Sequence, residues 1–565
     1  MESSSEVQRG SQKMSAIGLI MNQLRRKTSF TERRQKSGSF FWPGESSERR
    51  KGAEIKESDD ADAKATDPGT DPTTSMDMEI TSVVGWGRVK QFLEKLGKKP
   101  DSQVLSLSHC DLTATDIVEL ATLLPFLTQL EVVDLSWNDL VGGSLKALTF
   151  KLQHVGKLSL LRLCGCRLTA QDLEALGNGL EAVPLLELLD LSWNAGIGKA
   201  NLHCLTSRFL PGCNMRELRL VDCQLTDADM TALGRALPVL TNLKHLDLSC
   251  NKITAEGIKE MSSSLHASHG LKTLKLHMCG LEEDALSSLG DVLKFIPSLE
   301  GLDVSGNKAA RGGLARVAKS LALLTHLSCL DIHLCGLTDH DADALVEVLP
   351  SLSALTELNI SSNKALGDRL QALLPTLPLA NMRRLLLNNC GLSTASYQAL
   401  GSAMSSLVLL ESLNLSWNKS VGGHLKLLLG ALLSMCKLQE LRLSSCDLTT
   451  EDVLHLASAA KCGALSNVKQ LDLSYNGGVG DTGWAGLLAE AGGLKSLEQL
   501  DVSLRPSTPT PASPWIPNLL EALPTLPSLT HLALQHWVLR QDERDKLDNI
   551  TEKKKKGFLL ECDKS

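Results

Sequence analysis

Apolar residues along this chain keep two periods in turn. A short stretch alternates and closes on Asn or Cys, following the template Leu-x-Leu-x-x-(Asn/Cys). Leu246, Leu248 and Asn251 show it, and Leu274, Leu276 and Cys279 repeat it. Alternation of period two predicts a strand. The residues that follow switch to helical spacing: after Cys335, Ala342, Leu345, Val346 and Leu349 fall at i, i+3, i+4 and i+7. Fourteen closing residues, alternately Cys and Asn, run from Cys110 to Asn476 in steps of 27 to 30 residues. Five of the Cys units open their predicted helix with Thr-x-x-Asp, at Thr113/Asp116, Thr169/Asp172, Thr226/Asp229, Thr338/Asp341 and Thr449/Asp452. That spacing predicts a capping box.

A fixed step of one strand and one helix predicts a solenoid rather than an isolated core. The closing residue sits where the chain leaves its strand, among backbone groups that no neighbouring strand pairs. Asn brings two donors and an acceptor to them, and Cys is a small, weakly donating substitute. The strict Cys/Asn alternation resembles the ribonuclease-inhibitor-like family of leucine-rich repeats over roughly residues 100–540. The resemblance implies an α/β leucine-rich repeat solenoid, a horseshoe with a parallel β-sheet on the concave face and α-helices on the convex face. It also implies a non-enzymatic binding protein. Two further units, at Leu500 to Arg505 and Leu532 to Trp537, lack Asn or Cys at the closing position, as end units of a stack do.

The expected organisation has four parts. Residues 1–83 have no sustained period and read as a disordered tail, net +6 over 1–51 and −7 over 52–80. Two basic clusters there precede hydroxyl groups, making Thr28, Ser29 and Ser37 candidate phosphorylation sites and giving the tail a route to nuclear access. Residues 84–100, with Trp86, Val89, Phe92, Leu93 and Leu96 at helical spacing, read as an N-terminal cap. Residues 101–537 hold about 16 repeat units, interrupted by a Pro-rich extended loop at 505–517. Residues 538–565 read as a charged C-terminal tail.

Composition narrows the setting. Fifteen cysteines are present, and successive Cys at closing positions stand two strands apart, about 10 Å. A disulfide needs Cα atoms within about 7 Å, so these cysteines are expected to stay reduced. No stretch approaches the ~20 apolar residues of a membrane span, and no secretory signal is read. The expectation is a cytoplasmic monomer with protein partners, no cofactor, no membrane and no nucleic acid on the repeats, the whole chain carrying a net charge of −7.

No catalytic motif stands out, and no enzyme is expected. Cys164-x-Cys166 lacks a second pair at zinc spacing. The residue between the strand's last two core positions points to the concave face. Along that stripe Asp134, Arg162, Asp190, Arg219, Asp247, Lys275 and Asp303 alternate in sign, which predicts a ladder of cross-strand ion pairs. The alternation breaks at Asp303 and Asp331, with His333 and His277 beside them. These four are the weak candidates for a metal or pH-sensitive site, and the expected metal is none. Beyond the break lies a neutral patch with Asn388, Asn389 and Asn414. Trp137, Trp193, Trp417 and Tyr475 recur just before a closing Asn, as the last strand residue, and would line one rim of the sheet with binding anchors. The expected function is a protein-interaction scaffold using the concave face and this rim. The alternatives are an inhibitor that occludes an enzyme and a substrate adaptor for ubiquitin ligation.

Overall fold

The computed structural model describes residues 88–95, 97, 101–262, 270–430, 437–506, 510–512, 514–554 and 557–563. The tail 1–83, with Thr28, Ser29 and Ser37, lies outside them, as does Trp86.

Among the described residues, seventeen three-residue strands, from Val104–Ser106 to Leu559–Glu561, form one sheet in which every neighbouring pair is parallel. The register never slips. Asp134 lies opposite Arg162, Arg162 opposite Asp190, and so on to Asp472 opposite Asp501. The middle residue of each strand turns to the core: Leu161, Leu189 and Leu218 are buried, and the helices cover them from the other side.

The closing residues hold each unit to the one before it. Asn194 is fully buried. Its Nδ2 donates to the carbonyls of Leu163 (2.9 Å) and Leu191 (2.8 Å). Its Oδ1 accepts from the amides of Cys166 and Leu168, both at 3.0 Å. One amide group thus satisfies a turn that belongs to the preceding unit. Cysteine does a smaller version of this. Cys223 Sγ donates to the Leu191 carbonyl at 3.4 Å, and burial pushes its thiol up to about 12, keeping the proton it donates. All seven cysteines at closing positions are buried. At the C-terminal end Trp537 stands in this position, and its Nε1 donates to the Val502 carbonyl at 2.8 Å.

The five Thr-x-x-Asp sequences all form capping boxes. At least four of their carboxylates also reach backwards. Asp229, fully buried, accepts from the amides of Ala200 and Leu202 in the preceding unit, both at 3.0 Å. Asp172 does the same for Gly143 and Leu145 (2.6 and 3.0 Å). Helices opened by a box run to ten or twelve residues, whereas helices such as Leu145–Thr149 and His203–Thr206 in Asn units are one turn long.

Two expectations change at the C-terminal end. Part of the Pro-rich stretch is ordered pairing: Thr510–Pro511 runs parallel to Trp537–Val538, and a helix starts at Ile516 behind the buried Trp515. Residues 538–565 also hold another repeat, not only a charged tail. Helix Gln541–Lys553 leads to strand Leu559–Glu561, which pairs with His531–Ala533. Most of the charges that hid it are exposed, while Leu547 and the capping-box residue Glu543 are buried. Ahead of the sheet, helix Arg88–Lys95 is tied to the first repeat by Glu119, whose carboxylate accepts from the amides of Val89 (3.2 Å) and Lys90 (3.0 Å).

Candidate functional site

The strand face carries the alternating stripe as read, but its chemistry is more local than a continuous ladder. Along the stripe each base approaches the acid on the preceding strand: Arg162 to Asp134 at 3.9 Å, Arg219 to Asp190 at 3.7 Å, Lys275 to Asp247 at 4.0 Å, while Glu217 on Arg219's own strand holds that guanidinium closer, at 2.6 Å. The cross-strand couples are loose and solvent-screened, each worth about 0–1 kcal/mol. The acids have a second task. Asp134, Asp190, Asp247 and Asp303 each accept from the backbone amide two residues on, at 3.0–3.1 Å. Asn359 and Asn414 accept in the same way. From Asp134 to Asp472 every Asn unit carries an acceptor here, so the alternation of sign follows the alternation of unit type. The signal was in the sequence as Asp/Asn-x-Ser.

At the break, Asp331 stands in a Cys unit where its predecessors carry a base. His333 Nδ1 meets Asp331 Oδ1 at 2.7 Å, and Asn359 Nδ2 donates to the other oxygen at 2.9 Å. Burial would raise the Asp331 carboxyl, but the His333 contacts and the Asn359 amide hold it below its ordinary value. Burial would lower the His333 imidazole, but Asp331 and then Asp303 raise it. His277 Nδ1 pairs with Ser305 Oγ at 2.7 Å, and Ser305 in turn donates to Asp303. The His277 and His333 rings lie 5.7 Å apart. The four residues come together as two hydrogen-bonded couples. Among the described residues no group of three or more His, Cys, Asp or Glu is arranged to hold a metal.

The aromatics are not strand residues. The strands end three positions earlier, and Trp137, Trp193, Trp417 and Tyr475 each occupy a left-handed turn, with φ of 61 to 63°. The same turn recurs before every closing residue from Cys110 to Asn476. It arises because the amide there must turn to the neighbouring unit: Trp137 N donates to the Cys164 carbonyl, and Trp417 N to that of Ser444. A residue with a side chain pays about 1–2 kcal/mol for this conformation, and Gly or Asn is favoured. Indole rings are therefore costly choices here. Trp137, Trp193 and Trp417 remain 38–47% exposed. Trp137 stacks on His109 (centroids 5.8 Å) and meets Trp193 at 6.1 Å, while Trp417 meets Tyr475 at 6.5 Å. Met278 and Leu334 occupy the same turn and are also exposed, which the sequence reading missed by attending only to aromatics. Asn389 shares this rim beside Trp417 and donates to Ser362 Oγ. Asn388 and Asn414 lie on the strand face, where Asn388 accepts from Ser361 Oγ at 2.6 Å.

A parallel sheet of short strands closed by alternating Cys and Asn defines a leucine-rich repeat protein. The family described as Leucine Rich repeat matches at residues 213–234, 239–262, 434–457 and 464–487. The chain is 30% identical over 330 residues to the ribonuclease inhibitor of Sus scrofa, covering 57% of this chain and 71% of that protein. The Mus musculus ribonuclease inhibitor is 29% identical over 381 residues, covering 66% and 83%. The human NACHT, LRR and PYD domains-containing protein 5 is 30% identical over 289 residues, covering 49% of this chain but 23% of that protein. The chain belongs to the ribonuclease-inhibitor-like leucine-rich repeat family.

Proposed function

We propose that this protein is a non-enzymatic scaffold that binds protein partners through the strand face and the aromatic rim. The observation that carries this is the occupancy of the rim. Bulky apolar side chains stand exposed in left-handed turns where Gly or Asn would cost less, and neither the sheet nor the core requires them there. Aromatic side chains held rigidly at a surface are effective anchors. The balanced charge of the stripe suits a partner of mixed charge. No helix among the described residues is long and apolar enough to cross a membrane, and the reduced cysteines fit a cytoplasmic setting.

Proximity labelling followed by capture on wild type and on Trp417→Ala tests the rim. Loss of partners in the variant supports it, and an unchanged partner set rejects it. The second reading, an inhibitor that occludes an enzyme, rests on similarity to the ribonuclease inhibitors. An unaltered ribonuclease rate on mixing removes ribonuclease as the target.

A further inference from the structure

The Trp, Met, Leu and Tyr residues of the rim, exposed except for the half-buried Tyr475, are evenly spaced. Counting units from Cys110, they fall in pairs at units two and four (Trp137, Trp193), seven and nine (Met278, Leu334), and twelve and fourteen (Trp417, Tyr475). Each pair brackets a small residue: Gly165, Gly306 and Ser445. At the first two pairs the small residue makes the platform, and at the third Arg505 donates to Ser445 Oγ. A Cβ on Gly165 would come within 2.5 Å of the Trp137 ring, and one on Gly306 within 2.6 Å of Met278 Cγ. The larger side chain therefore lies over the neighbouring turn. Successive platforms are five units apart, about 24 Å along the sheet at the usual strand separation.

Internal duplication does not account for this period. Five is odd, so a copied block would place Asn where Cys stands, as Asn138 and Cys279 show. The spacing cuts across the Cys/Asn alternation instead of following it. It is also symmetric about unit eight, at Gly306.

We propose that the rim docks a second copy of this chain, antiparallel, with a two-fold axis passing by Gly306. This rests on the reading of the rim as a docking surface. A two-fold interface brings the same patch of both copies together, so each residue meets a counterpart at mirrored position. Here Trp137 and Trp193 meet Tyr475 and Trp417 of the second copy, and Met278 meets Leu334. The polar stretches between platforms also match: Asp222 meets Asn389, and Cys250 meets Ser362, so no like charges oppose in that row. In the row just beyond, Arg167 meets Asp447, while Lys252 meets Lys364 and Lys308 meets itself. These lysines are exposed, with stems long enough for their charges to part. A rotation about an axis through the middle unit lays the stack of repeats upon itself whatever its curvature. The second copy is thus a partner whose platforms necessarily share the spacing, and it leaves the strand face open to other proteins.

Sedimentation equilibrium of the full chain tests this. Wild type is expected to form dimers at micromolar concentration. Met278→Glu weakens each of two symmetric contacts about tenfold, so the dissociation constant rises about 100-fold. Met278 and Leu334 lie outside the core, so charge exchange follows cleanly. A chain with Met278→Glu and Leu334→Glu, and one with Met278→Lys and Leu334→Lys, are each monomeric alone and form a mixed dimer together. A wild type that stays single to about 100 μM, near the weak end of specific association, overturns the proposal. So does a dimer indifferent to Met278→Glu, or a charge-exchanged mixture that stays monomeric. Partner capture that is lost in Trp417→Ala on a monomeric wild type would end the pairing while leaving the rim as a binding surface.

Discussion

Asn194 and Trp193 are neighbours in sequence and opposites in every physical respect. The column of closing residues is buried, nearly invariant in type along the stack, and consumed by backbone hydrogen bonds. The column one residue earlier is exposed or half-buried at all positions but Gly165 and Ser445, and it varies among His, Trp, Gly, Asp, Cys, Met, Leu, Ser, Asn and Tyr. A repeat protein needs its first column to be monotonous, because every unit poses the same unpaired turn. The second column can differ from unit to unit while the closing turns stay paired. Specificity therefore resides in the residues that the repeat does not constrain.

The sharpest break in this comparison comes from substituting the two neighbours separately. Asn194→Ala strands several buried backbone groups and is expected to cost about 3–5 kcal/mol, against less than about 1 kcal/mol for Trp193→Ala, by denaturant unfolding. Equal losses would remove the distinction. Asp229→Ala should follow at about 2–4 kcal/mol, because it unties a helix cap and two amides of the preceding unit. Gly165→Ala probes the boundary between columns. It adds a Cβ in a left-handed turn beneath an indole, at about 1–3 kcal/mol, and should shift the fluorescence of Trp137.

A smaller effect belongs to the His333–Asp331 couple. Asp331 is held below its ordinary value of 3.8, so its contribution is present above that pH and is lost as pH falls through the lowered value. His333 is held above its ordinary 6.5, so its contribution is complete below 6.5 and is lost as pH rises through the raised value. The melting difference between wild type and His333→Gln should peak near pH 5 and shrink on both sides. A difference that grows steadily towards alkaline pH would contradict the assignment. Smallest of all, Lys275→Ala should change stability by no more than about 0.5 kcal/mol, given its 4.0 Å approach to Asp247.

What could be read from the residues alone follows the same division. The strands, their register and five capping boxes were legible because each repeats a local rule many times. The left-handed turn under Trp137 was not, since it depends on an amide reaching the Cys164 carbonyl of the next unit. Nor was the backward reach of Asp229, which looks in sequence like a cap and nothing more. Strand Leu559–Glu561 escaped because the buried positions before it are Glu543 and Leu547, and only the second is apolar. Met278 and Leu334 were overlooked because an aliphatic side chain draws no attention in a leucine-rich chain until its exposure is known.

One consequence concerns synthesis. Asn194 closes the turn of the unit before it, Cys223 donates backwards, and Asp229 ties down a helix start some 27 residues upstream. Each unit is thus completed by its successor. As the chain leaves the ribosome, the newest repeat is always the unfinished one, and the folded front trails the nascent end by one step. A chain halted between units carries one open turn at its growing end, whichever unit that is.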